Sequence, residues 1–95
     1  MKRFNMRIGD LEVRTCNKSL IGSGQHTTAE IIRWHEGKDT CHTLAYWVKD
    51  DDGFYLKYVG SRPLKDDRCD PDTWWRLTKA GQDYLDYCGD IHDDE

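Results

Sequence analysis

Long hydrophobic runs are missing from this 95-residue chain. No apolar stretch approaches the roughly 20 residues that a membrane-crossing helix needs, so none is expected. The start, MKRFNMRIGD, is basic but has no apolar segment behind it, which argues against a signal peptide. The expected setting is therefore the cytoplasm, where thiols stay reduced. Paired cysteine motifs are missing as well. Cys16, Cys41, Cys69 and Cys88 form no C-x-x-C. Cys69 and Cys88 flank a predicted helix whose ends lie about 25 Å apart, beyond disulfide reach. Cys41-His42 lacks the ligand spacing of a zinc finger or ribbon, and no metal or cofactor is expected.

Catalytic signatures are equally scarce. There is no G-x-S-x-G elbow and no H-E-x-x-H. His35-Glu36 falls at the end of a predicted helix, where a histidine suits the dipole. Asp50-Asp51-Asp52 lacks the spacing of a calcium loop and reads as an acidic turn. The chain is expected not to be an enzyme. Apolar residues amount to 37% against 34% charged, so a single small domain (1–89) is expected, without a second core. Four Trp, five Tyr and two Phe supply the interior volume that aliphatic residues do not.

Charge is unevenly placed around a net of −4. Residues 1–20 carry Lys2, Arg3, Arg7, Arg14 and Lys18 against Asp10 and Glu12. Residues 71–95 carry Arg76 and Lys79 against six Asp and one Glu, including the tail 90–95, which reads as disordered. The asymmetry suits electrostatic steering of a partner. The acidic total disfavours nucleic acid.

Periodicity predicts the elements. Phe4, Met6 and Ile8 alternate with polar residues, Gly9-Asp10 makes a tight turn, and Leu11, Val13 and Thr15 return. This hairpin pairs Ile8 with Leu11 and Met6 with Val13 on one face, and Arg7 with Glu12 on the other. Residues 17–26 read as a loop. Thr27-x-x-Glu30 resembles a capping box, so a short helix is predicted to follow and to end near Gly37. A second hairpin spans 41–63. With a three-residue loop Asp51-Asp52-Gly53, Val48 faces Leu56 and Tyr46 faces Tyr58. That register buries Leu44, Tyr46, Val48, Phe54, Leu56 and Tyr58 and turns Trp47, Lys49, Tyr55 and Lys57 outward. Asp70 caps the last helix, with Pro71 at its first position. Trp74, Leu77, Gly81, Tyr84 and Cys88 recur at helical spacing with Leu85 beside them, and Gly89 ends the helix. Gly81 is expected to let the helix approach the sheet closely. The predicted order is ββαββα, an α+β fold with a four-stranded antiparallel sheet and both helices on one face.

Two candidate sites follow. The outward group Trp47, Lys49, Tyr55 and Lys57 has the composition of a protein-binding hot spot. The Gly-rich loop Gly22-Ser23-Gly24, with His26 and Thr27, precedes the predicted first helix, whose free N–H groups would hold a phosphate or nucleotide.

The blocks CHTLAYW, DDGFYLKYVGSRP and WWRLTKAGQDYLD, over residues 31–86, resemble small uncharacterised accessory proteins of tailed bacteriophages. The resemblance carries no catalytic motif. It implies a protein made in the host bacterial cytoplasm that binds a host factor, a defence or transcription component, as inhibitor or modulator. Self-association is left open. The alternative expectation is a small-ligand binder that sequesters a nucleotide or phosphorylated signal at the Gly22–Thr28 loop.

Overall fold

The computed structural model describes residues 4–19, 26–59 and 70–91, with the backbone alone at 17–19, 26, 50 and 88–91. Five strands form one antiparallel meander in sequence order: β1 (Asn5–Ile8), β2 (Leu11–Ser19), β3 (His26–Trp34), β4 (Cys41–Asp50) and β5 (Gly53–Tyr58). One helix, α1 (Pro71–Ile91), packs against them. The α+β class stands, with five strands and one helix in place of four and two.

The difference lies in residues 26–34. The stretch HTTAEIIRW is rich in β-branched side chains, which are stiff at χ1 and fit a pleated surface better than a helix. At the centre of the sheet both faces of a strand can be covered. Ile31 is buried on the helix side and Ile32 on the opposite side, so no alternation marks the strand. Thr27 and Glu30 do not cap a helix. The Thr27 hydroxyl lies 2.9 Å and 3.0 Å from the carbonyl oxygens of Ala29 and Trp47, and Glu30 reaches sideways to Arg14 on β2. Gly37 is part of the β3–β4 turn, at a φ of 71°.

The first hairpin follows its predicted register, with Met6 opposite Val13, Arg7 opposite Glu12 and Ile8 opposite Leu11. Gly9 has a φ of 64°, the positive value a two-residue hairpin turn needs there. The β4–β5 hairpin differs by one residue. Asp50 pairs with Gly53, so the turn is Asp51-Asp52, and Trp47 stands opposite Leu56 and Tyr46 opposite Lys57. Phe54 and Leu56 keep their expected inward side. On β4 it is Ala45 and Trp47 that face the core, while Tyr46 and Val48 face away. Leu44 also packs on the core, because the pairing with β3 slips between Ile31 and Ile32 and makes Leu44 an extra residue there.

Asp70 caps α1 as expected: its Oδ2 accepts from the Thr73 backbone N–H at 3.1 Å. The helix runs two residues past Gly89 to Ile91. Residues 92–95 lie outside the described residues, as does the part of the predicted 17–26 loop that follows β2 (20–25). Among the described residues no helix is long and apolar enough to cross a membrane.

Trp74, Leu77 and Leu85 bury one stripe of α1 against Leu11, Val13, Ala29, Ile31, Ala45 and Trp47. Trp47 has no exposed surface. Its Nε1–H donates to Gln82 Oε1 at 2.9 Å, and Gln82 Nε2 donates to the Phe54 carbonyl at 3.1 Å. The indole lies directly beneath Gly81, where a Cβ would stand 2.6 Å from Trp47 Cη2 and 3.0 Å from Val13 Cγ2. Gly81 therefore costs helix propensity and gains close packing. Gly81→Ala should lower stability in denaturant unfolding. Overpacking costs about 1–3 kcal/mol, against a propensity gain of about 1 kcal/mol. Trp47→Ala should cost about 3–5 kcal/mol.

Candidate functional site

The burial of Trp47 divides the expected binding group between two faces. Trp47 is interior. Lys49 is exposed on the helix side, its Nζ 5.6 Å from the centre of the Phe54 ring. Tyr55, 38% exposed, and Lys57, half-buried, lie on the opposite face. Gly22, Ser23 and Gly24 of the alternative site lie outside the described residues. His26 and Thr27 belong to β3, and Thr27 is buried. No helix begins there, so the free N–H groups that would hold a phosphate at that point are absent.

No described element packs on the face opposite α1, and a polar arrangement covers it. One row crosses all five strands: Asn5, Arg14, Glu30, Tyr46, Lys57. Glu30 is only 1% exposed. Its carboxylate accepts from Arg14 Nε at 3.0 Å and from the Thr43 hydroxyl at 2.9 Å. Arg14 Nη2 also lies 3.9 Å from Cys41 Sγ. Burial alone would lower the Arg14 guanidinium. The hydrogen bond and charge of Glu30, with Cys41 and Glu12 nearby, outweigh that and hold it above its ordinary value. Arg14 stays charged at every physiological pH.

Beside this row sits Trp34, the last residue of β3. Its Nε1–H donates to Glu12 Oε1 at 2.8 Å, and Asn5 Nδ2 donates to Glu12 Oε2 at 3.0 Å. Arg7 Cζ lies 5.4 Å and Arg14 Cζ 5.9 Å from the Trp34 ring centre, so two guanidinium groups attend one indole. The strand alternation of Arg7 and Arg14 was legible in the sequence. The place of Trp34 among them was not, because it depends on reading 26–34 as a strand.

The face thus has a definite charge structure. The carboxylates of Glu12 and Glu30 are buried and hydrogen-bonded. The groups nearer solvent are Arg7, Arg14, Lys57 and the aromatic rings of Trp34, Tyr46 and Tyr55. At the β3–β4 end an open groove of about 680 Å³ is lined by Arg7, Asp10, Trp34, His35, Glu36, Lys38 and Asp39, among others. Its three carboxylates outnumber its two cations, which works against a phosphate guest.

At the same turn Thr40 Oγ1, His35 and His42 form a hydrogen-bonded chain, with distances of 2.7 Å and 2.9 Å. All three residues are exposed. Water competes at every step of that chain, which weakens any polarisation of the threonine hydroxyl.

The chain matches no protein-family model, no curated protein and no solved structure.

Replacing Arg14 leaves Glu30 buried with Thr43 as a neutral partner. Arg14→Met should therefore cost about 2–3 kcal/mol in denaturant unfolding, short of the 3–5 kcal/mol seen for fully buried pairs, because Arg14 itself is partly exposed. Glu30→Gln removes the buried charge and should cost less than Arg14→Met.

Proposed function

We propose that this chain is a non-enzymatic protein-binding module, and that the sheet face opposite α1 is the surface it offers. One observation carries the reading. Glu12 and Glu30, on that face, are buried and hydrogen-bonded to Trp34 and Arg14, and the cationic and aromatic groups Arg7, Arg14, Trp34 and Tyr55 lie nearer solvent beside them. Arginine and tryptophan side by side are the residue types that dominate binding hot spots. Around Arg14 and Lys57 the complementary partner surface is acidic, and steering by these cations would speed the encounter; toward the groove at Arg7, where Asp10, Glu36 and Asp39 gather, it is not.

With the bacteriophage resemblance, the partner class is a host bacterial factor, a defence or transcription component, which the chain inhibits or modulates in the host cytoplasm. The buried Trp47 is removed from the binding group, and Arg7, Arg14 and Trp34 join Tyr55 and Lys57 there. The small-ligand reading loses its support with the helix that was to supply it.

The test is an affinity pull-down from bacterial lysate with identification of the bound protein, followed by affinity measurement on variants. Arg7→Glu should lower affinity at least tenfold; because it also sets a carboxylate opposite Glu12, its fold is confirmed by circular dichroism before the affinity is measured. Trp34→Ala should lower it by about 30-fold, equivalent to roughly 2 kcal/mol. Trp75→Ala, on the outer side of α1 where the ring is 59% exposed, should leave affinity unchanged. Loss of binding on Trp75→Ala with retention on Arg7→Glu would move the surface to the helix.

A further inference from the structure

The β3–β4 turn holds a pair of imidazoles that the binding reading does not use. His35 ends the β3 side, and His42 is the second residue of β4. Backbone pairing brings them together: the His35 N–H donates to the Thr40 carbonyl at 2.9 Å, and Arg33 stands opposite His42. His35 Nε2 and His42 Nδ1 are 2.9 Å apart, with ring centres at 5.0 Å. The other nitrogen of His35 is held by Thr40 Oγ1 at 2.7 Å.

We propose that His35 and His42 form a binding site for a borderline divalent transition-metal ion, of which zinc is the commonest. Three features carry this. First, metal–nitrogen bonds of about 2.0–2.1 Å at right or tetrahedral angles place two donor nitrogens about 3 Å apart, close to the spacing already present. Second, the Thr40 hydroxyl does for His35 what outer partners do for metal-bound histidines. With Nδ1 protonated, His35 donates to this hydroxyl, which holds that tautomer and leaves the Nε2 lone pair facing His42. Third, both rings are exposed and need only pivot for their lone pairs to converge on an ion.

In that tautomer His42 Nδ1 carries the proton of the shared hydrogen bond. On binding, His42 gives up this proton to water and takes one up at Nε2, so that it stays neutral and both facing nitrogens donate to the metal. Among the described residues no third His, Cys, Asp or Glu converges on the pair. Water fills the remaining positions, and the ion exchanges readily. Arg33, opposite His42 in the sheet, is buried and has Asp10 Oδ2 at 3.8 Å from its Nε, so its charge is opposed.

Zinc chloride titrated into the full-length protein, under a non-chelating reductant, tests the site by calorimetry and by NMR of the imidazole protons. The His35 and His42 ring signals should shift first, ahead of those of His26 and His92. His35→Ala and His42→Ala, both at exposed positions and so expected to fold, should each weaken binding at least tenfold. Thr40→Val keeps both ligands and should weaken it about tenfold through the lost orientation. Zinc affinity within twofold of the parent in both alanine variants would overturn the proposal. So would ring signals of His26 or His92 that move before those of the pair.

Discussion

The contact of the Trp47 indole with Gly81 sets the rest of the structure. A tryptophan in the middle of β4 fills the space between sheet and helix, and it can do so only because the residue above it has no side chain. Close approach then lets Leu77 and Leu85 reach the sheet on either side of the glycine. The one polar atom of the indole is satisfied by Gln82, which in turn holds the backbone of β5. One residue pair thus fixes helix height, helix rotation and the position of an edge strand.

That arrangement decides which face of the sheet meets solvent. With α1 covering one side, the other side keeps its own order through paired charges. Glu30 and Glu12 would be costly to bury alone. Arg14, Thr43, Asn5 and Trp34 compensate them. On α1 the exposed side carries the i,i+4 pairs Arg76–Asp72 and Lys79–Asp83, which add little to stability. The proposed binding surface rests on the order of the sheet face.

Much of the fold was legible in the sequence where local signals agreed. Gly9-Asp10 and the alternation around it specified the first hairpin. Asp70, Pro71 and the stripe from Trp74 to Leu85 specified α1, and Gly81 was read as a close-approach glycine. The failures came where a tertiary environment overrode a local one. Ile31-Ile32 loses strand alternation because both faces of β3 are covered, and Thr27-x-x-Glu30 imitates a cap while serving the sheet. At Asp51-Asp52-Gly53, two- and three-residue turns both fit the acidic sequence. The choice reversed β4 while leaving β5 correct, which is why Trp47 was placed outside and Tyr55 and Lys57 were assigned to a face they share with different neighbours. The candidate surface was accordingly half legible: Tyr55 and Lys57 could be found, and Trp34 could not without β3.

The central claim is that Trp47 is sealed between sheet and helix. Hydrogen exchange of the indole N–H protons, followed by NMR, measures this directly on the intact chain. The account predicts that the Trp47 proton exchanges only through global unfolding, while that of Trp75, on the exposed side of α1, exchanges at close to the rate of a free indole. Exchange of Trp47 as fast as Trp75 would place the indole in water and contradict the register, the role of Gly81 and the choice of binding face together.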